Sequence, residues 1–410
     1  MPHPAPPPDI RLDRDAIRRM LRGLIALEAA RATGRRIDAA EAETWTDALP
    51  LGEEGLGLDS LGTMAVAAAV DRLFQLHETG AEGYLLLDRR LGAWVEVVEA
   101  ALAHDTTGLT FATSGSTGEP QPIAHRWATL RGEVAFWADQ FRDRSRIVLT
   151  VPAHHIYGAL FGALLPVALG VPVLERRGAT PAGLARDLEP GDLLVGFPTG
   201  LGLLAATRPR LPSQLAATSS TGPLAGATAQ ALAEAGLAAL TEIYGSSETA
   251  GIGFRQDPAA PFRLLPRWAA AGEAVREVTT GMILPLPDTV VWEGADTLRP
   301  TGRRDASVQV AGMNVYPARI ARLLEALPGV LAARVRLDQS LPDPRLKAFL
   351  LPDPAADGAT LLAGIRAWCA ARLTPPERPV HFTLGPVVPV GPLGKDADWP
   401  TADQPTADAA

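Results

Sequence analysis

Several things are scarce in this chain of 410 residues, and each scarcity excludes something. Cysteine occurs once, at Cys369, so neither an intrachain disulfide framework nor a cysteine-based zinc site is available, and a reducing compartment fits. Lysine occurs twice, as Lys347 and Lys395, although lysine and arginine together number 38. Basic charge is in deficit overall: the net charge of -8 argues against non-specific binding to a nucleic-acid backbone. The opening MPHPAPPPDI has no basic stretch followed by an apolar one, so no secretory signal is expected. The longest apolar stretch, Ile147 to Leu174, is broken by Pro152, His154, His155 and Pro166, which suits buried strand and helix and not a membrane span. A cytoplasmic protein is the expectation.

What is present divides the chain. Residues 1–9 form a proline-rich lead and 397–410 a Pro/Ala/Asp tail. Between Asp15 and Ala30, Ile17, Met20, Leu21, Leu24, Ile25 and Leu27 recur with helical spacing. Asp59-Ser60 supplies an N-cap ahead of LGTMAVAAAVDRLF, and Leu91 to Leu102 reads as another helix. Residues 10–104 are therefore expected to be a small all-helical unit. From Gly108 short β-branched runs (GLTFAT, RIVLTVP, VPVLE, DLLVGFP, ALTEIYG) alternate with Ala/Leu-rich helical segments such as 223–235. That alternation predicts an α/β domain with a mostly parallel sheet over residues 105–300. Residues 301–396 read as a smaller α+β domain.

Three segments carry chemistry. Thr113, Ser114, Gly115, Ser116, Thr117 and Gly118 follow a strand. Their glycines and hydroxyls are either a cradle for phosphate or a hydroxyl-rich turn. No Lys-Ser/Thr pair closes the segment, so it is not a Walker A loop. Glu242 to Glu248 (EIYGSSE) runs from a strand into a loop with a carboxylate. Beside phosphates that carboxylate suits Mg²⁺; otherwise it is a helix cap. Pro389 to Lys395 presents one of the two lysines. A compact ammonium differs from the forked guanidinium chosen elsewhere, yet a leftover tail residue has the same signature.

In this order and spacing the segments resemble the adenylate-forming superfamily of acyl-CoA synthetases, luciferases and peptide-synthetase adenylation domains, over roughly residues 105–396. TSGSTGEP is similar to its phosphate loop, VPAHHIYGALFG to its acyl-pocket segment with His155 at the histidine position, and TSSTGPL (218–224), containing Gly222, to the stretch lining adenine and acyl group. IYGSSE resembles the adenine and Mg²⁺ segment, which implies nucleotide contacts at Tyr244, Gly245 and Ser247 and a Mg²⁺ ligand at Glu248. Asp288 stands where the family holds the ribose, fourteen residues before Gly302-Arg303-Arg304-Asp305. That tetrad resembles the interdomain hinge, with Arg303 at the nucleotide and Asp305 at the pivot. PLGK resembles the catalytic-lysine loop, with Lys395 catalytic.

The resemblance implies a truncated large domain of this fold plus a mobile C-terminal lid. It implies that ATP and a carboxylic acid give an acyl-adenylate and pyrophosphate, and that a thiol, on CoA or an acyl carrier protein, then displaces AMP. Gln121 and Gln309 stand where the family carries lysines, and Arg319 and Ala321 where it carries glutamates. Those departures keep a second reading open, a non-catalytic scaffold that retained the fold. The first part of the family's large domain is missing. In its place LGLDSLGTMAVAAAVDRLF resembles the attachment site of acyl carrier proteins, which would put 4'-phosphopantetheine on Ser60; the same residues also read as a capped helix in a structural replacement. The segment 154–158 has no aspartate to pair with a substrate amine, and a buried ammonium without a partner is costly, so a small aromatic acid lacking an α-amino group is expected. His155, Tyr157 and Trp137 suit its walls. A serine-hydrolase reading fails for want of a G-x-S-x-G elbow, and Gly200-Leu-Gly202 is too little for a dinucleotide site.

Overall fold

Helix caps and apolar spacing set the beginning of the fold. In a computed structural model, which describes residues 10–104, 106–113, 121–304, 307–310, 313–338, 344–389 and 398–400, α1 (Arg14–Thr33) starts at Asp13, whose carboxylate accepts from the Ala16 amide, and ends at Gly34 with φ 68°. Its residues Ile17, Met20, Leu21 and Ile25 are fully buried. A short α2 (Ala39–Glu43) precedes α3 (Ser60–Phe74), capped by Asp59 onto the Gly62 amide at 2.7 Å, and α4 (Leu91–Leu102). The helices α3 and α4 both pack on α1, and α3 also packs on β1 (Gly108–Thr113).

Strand β1 pairs antiparallel with β2 (Gln121–Arg126), and Thr113 faces Gln121 at the end where the phosphate-loop sequence joins them. This two-stranded sheet stands apart from the large sheet, whereas GLTFAT was expected among its strands. An antiparallel pair brings both ends of the loop to one place, which a parallel crossover would not. Helix α5 (Trp127–Gln140) follows.

The large sheet is built from β3 (Arg146–Leu149), β4 (Val173–Glu175), β5 (Asp192–Gly196), β6 (Ala216–Ser219), β7 (Ala239–Ser246), β8 (Ala250–Arg255) and β9 (Phe262–Leu264). Its order from one edge is β4-β3-β5-β6-β7, all parallel, then β8 and β9 antiparallel. Every residue of β5 is buried, as a parallel strand covered on both faces requires. Helices α6 (Ile156–Ala159), α7 (Leu165–Leu169), α8 (Pro181–Asp187), α9 (Pro198–Ala206) and α10 (Gly226–Glu234) fill the connections, with a π-helical turn at Leu160–Leu164. A three-stranded antiparallel sheet follows: β10 (Trp268–Ala271), β11 (Ala274–Glu277) and β12 (Ile283–Pro285). Then come β13 (Asp288–Trp292) and β14 (Thr297–Arg303), the latter meeting β9 through Thr297 and Leu298.

The chain divides into two compact units. The first takes the described residues up to Thr113 with 121–285 and 292–299; the second takes 286–291 and the described residues from 300 onward. The helical residues 10–104 thus share a unit with the large sheet. In the second unit β15 (Val308–Val310) pairs with β16 (Met313–Val315), and α11 (Pro317–Glu325) and α12 (Gly358–Arg372) cover a sheet of β17 (Val330–Asp338), β18 (Arg345–Pro352) and β19 (His381–Leu384). Its core is Val310, Ile320, Leu324, Leu346, Leu350, Ile365, Cys369 and Phe382. No helix among the described residues is long and apolar enough to cross a membrane.

Candidate active site

The carboxyl ends of the parallel strands gather the expected residues of the first unit, where open α/β sheets place their ligands. After β7 the chain bulges between Tyr244 and Gly245, turns at 247–249 and returns as β8. A Cβ on Gly245 would lie 2.2 Å from the Ala250 carbonyl oxygen, so only glycine fits. Tyr244 packs on Phe262 with ring centroids 5.5 Å apart. Glu248 is exposed on the turn, and no hydrogen bond or ion pair ties its carboxylate. Among the described residues no group of three His, Cys, Asp or Glu could hold a metal. One free carboxylate does not make a zinc centre, but it fits Mg²⁺, which takes one or two carboxylates and shares the rest with water and phosphates.

Two buried groups brace this turn, and neither is evident from the sequence. His125 on β2 hydrogen-bonds through Nε2 to the Ser247 carbonyl at 2.6 Å, which links the turn to the hairpin that bears the phosphate-loop sequence. Burial holds the His125 pKa below its ordinary value, so the ring is neutral and its Nε2–H donates. Glu133, 2% exposed on α5, accepts from the Gly251 amide at 3.0 and 3.1 Å and pairs with Arg267 at 3.3 Å. Arg267 reaches back to the carbonyls of Thr249 and Gly251. Trp137 is a core residue, packed with Phe141, Phe161 and Phe254 and donating to Glu133 at 3.3 Å.

The acyl segment follows β3. His155 precedes the short α6; it is exposed, yet the protein around it and the cations Arg177 and Arg31 push its pKa down to about 4. Tyr157 is buried and its hydroxyl meets Thr218 Oγ1 at 2.7 Å, which joins this segment to the end of β6. Burial raises the Tyr157 phenol above its usual range. Beyond β6, Ser220 Oγ donates to the Ile243 carbonyl at 2.9 Å, Thr221 has φ 77°, and Gly222 is half-buried.

In the second unit Asp288 is buried and Arg303 Nη1 lies 3.9 Å from its Oδ2. Arg303 Nε donates to Ser307 Oγ at 3.0 Å, and Arg304 Nε to the Asp288 carbonyl at 3.2 Å. The aspartate and the hinge arginine are therefore neighbours. Gln309 Nε2 donates to Asn314 across the β15–β16 hairpin, and Arg319 donates to Glu377 at 2.7 Å. Ser114, Gly115, Ser116, Thr117, Gly118, Asp305 and Lys395, and the Thr113 side chain, lie outside the described residues. Ser60 is exposed at the first position of α3. The opposite face of α3, with Val66, Val70, Leu73 and Phe74, is buried, and the helix belongs to the unit of the large sheet. That packing makes it part of the body.

A family profile described as AMP-binding enzyme matches residues 50–291, from the helical segment into β13. The chain belongs to this family. It is 39% identical over 389 residues to a 4-coumarate–CoA ligase of Halorhodospira halophila, covering 94% of this chain and 99% of that one. It is 38% identical to a 4-coumarate–CoA ligase of Rhodobacter capsulatus, covering 93% and 100%. In fold it is similar to o-succinylbenzoate CoA synthetase of Bacillus subtilis, with a TM-score of 0.59 at 17% identity, covering 93% and 90%. This AMP-binding enzyme is an acid–thiol ligase: it activates a small carboxylic acid with ATP as the acyl-adenylate and passes the acyl group to a thiol. The scaffold reading is set aside. Near-complete coverage of its relatives also means that their helical segment, like this one, stands before the phosphate loop.

Proposed function

We propose that the acid is 4-coumarate or a close hydroxycinnamate and that the thiol is CoA. The observation that carries this reading is the near full-length likeness to proteins named 4-coumarate–CoA ligase. The absence of a carboxylate from His154–Gly158 and the aromatic, partly polar character of that segment support it. CoA is preferred to a pantetheine arm on Ser60 because α3 is packed into the body, and a tethered arm gains concentration only where its tether reaches the site.

The residue roles are part of the proposal. Tyr244, Gly245, Ser247 and Gly222 hold the adenine, and Asp288 with Arg303 holds the ribose. Thr113 to Gly118 cradle the phosphates. Glu248 would hold Mg²⁺, which supplies charge neutralisation at the phosphates. His155, neutral at physiological pH, sits beside the acyl carboxyl group, and Asp305 is the pivot.

In the first step a carboxylate oxygen attacks the α-phosphorus, and the bond to the pyrophosphate oxygen breaks. In the second the thiolate attacks the acyl carbonyl and AMP leaves. Both steps depend on positioning and charge stabilisation more than on a general base, which suits a site of amides, hydroxyls and the Lys395 ammonium. The test is acid-dependent ATP–pyrophosphate exchange with benzoic, cinnamic, hydroxycinnamic and aliphatic acids, followed by thioester formation with CoA. Exchange confined to aliphatic acids, or thioester formed only on the chain itself, overturns the reading.

A further inference from the structure

Where α1 passes behind the acyl segment, the first unit buries polar atoms that nothing in the protein satisfies. Both ring nitrogens of His154 are buried without a hydrogen-bond partner, as are Nε and Nη2 of Arg177. The Arg177 side chain is only 10% exposed, and its nearest carboxylate oxygen, Glu43 Oε1, is 3.8 Å from Nε, too far for a hydrogen bond. Nearby Arg19 and Arg22 stand 3.8 and 4.0 Å from Glu175, and each leaves its Nε unpartnered. Three guanidinium groups thus face two carboxylates, and burial raises the pKa of both Glu43 and Glu175, which weakens their compensation further. A buried polar group left unmade costs about 1–3 kcal/mol, more when charged, so a cluster of them marks the place of an absent acceptor.

Its position says which acceptor. His154 follows β3 and Arg177 follows β4, adjacent parallel strands at the edge of the sheet. The adenine segments follow β7 and β6, further along the same carboxyl edge. An acid whose carboxylate is activated near the end of β6 and which extends toward that edge crosses β5 and reaches β3 after two strand spacings, about 10 Å. That is the span of a phenylpropenoate from carboxyl to para position. The His154 ring lies 4.6 Å from that of His155.

We propose that His154 and Arg177 form the far end of the acyl site and recognise a hydroxyl oxygen on the aromatic ring of the acid. A phenol is donor and acceptor at once. Its proton goes to an imidazole nitrogen of His154, and its oxygen accepts from Arg177. Burial keeps the His154 ring neutral, so that it has a lone pair to offer. Gly23 on α1 keeps the pocket open: a Cβ there would lie 2.5 Å from His154 Nδ1. The N-terminal helix therefore takes part in substrate choice. The proposal rests on the reading of the substrate as an aromatic acid.

The experiment compares kcat/KM for 4-hydroxycinnamate and cinnamate in the full chain, by pyrophosphate exchange, for wild type, Arg177→Met and His154→Leu. The wild type should prefer the hydroxylated acid, and each variant should lower that preference about 10- to 100-fold, the value of a hydrogen bond to a charged or buried partner. Equal losses for both acids, or a wild type that does not distinguish them, overturns the subsite and leaves the aromatic-acid reading standing. A wild type that activates neither acid overturns that reading, and the subsite with it. Should a variant unfold, the wild type still decides the point through the absorbance of bound 4-hydroxycinnamate. An Arg177 contact lowers the pKa of the bound phenol below that of the free acid, and an unchanged titration refutes the contact.

Discussion

Lys347 Nζ donates to the carbonyl of Trp399 at 2.8 Å and pairs with Asp398 at the same distance, so one of the chain's two lysines anchors the segment that carries the other. Lys347 is 5% exposed on β18, and its ammonium lies 5.3 Å from the Trp399 ring, which also packs on Phe349. The chain is fixed four residues beyond Lys395. Replacing Lys347 by Met keeps the stem and removes the anchor. Pyrophosphate exchange should fall about 10- to 100-fold with little change in ATP KM, since misplacing a reacting group by an ångström has effects of that size. Unchanged exchange in a folded variant would show that Trp399 holds by packing alone.

Glu133 and Arg267 form a buried pair beneath the 247–249 turn. Glu133→Ala leaves Arg267 and the Gly251 amide without their acceptor and should destabilise the protein by about 3–5 kcal/mol. Urea denaturation of the variant checks this, and a loss under about 1 kcal/mol contradicts it.

His125 holds the carbonyl of Ser247, the residue before Glu248. His125→Phe keeps the ring and removes the donor, so the Mg²⁺ concentration for half-maximal exchange should rise several-fold. His125→Asn, which retains a donor, should recover part of it. Identical Mg²⁺ curves for all three proteins would confine His125 to packing.

The His155 pKa of about 4 lies below that of an ordinary histidine near 6.5. Between these values the unfolded chain takes up a proton that the folded chain refuses, so this group's contribution to stability is whole above pH 6.5 and is lost as pH falls toward 4. Melting curves from pH 7 to 4.5 should therefore show a shallower decline for His155→Asn than for wild type. By the same value, activity between pH 5.5 and 8 should show no limb that His155→Asn removes.

Gly23→Ala should lower activity on 4-hydroxycinnamate more than on cinnamate, with at most about 1–3 kcal/mol of destabilisation, because the new methyl meets the end of a side chain, His154, and not backbone. A uniform loss on both acids would place the clash elsewhere.

Helix α3 was legible because Asp59 is a cap and the apolar residues after it keep the helical period; β5 was legible because a strand buried on both faces is an unbroken apolar run. The turn at Tyr244–Glu248 was legible in kind, since a strand ending in a glycine and a carboxylate has few other uses. The pairing of β1 was not. A strand's residues do not name its partner, and GLTFAT fits a hairpin as well as a parallel sheet.

By itself, then, the sequence determined the helical beginning, the α/β alternation, the order of the motifs and the choice of lysine at two places only, because caps, periodicity and residue chemistry are local. Only the tertiary structure decided that residues 10–104 are built into the catalytic body, that His125 and Glu133 brace the turn before Glu248, that Lys347 holds Trp399, and that His154 and Arg177 share a buried, unsatisfied corner. Those relations join residues from 21 to more than a hundred positions apart in the chain. Burial and hydrogen-bond partnership are properties of the folded neighbourhood, and no local pattern carries them.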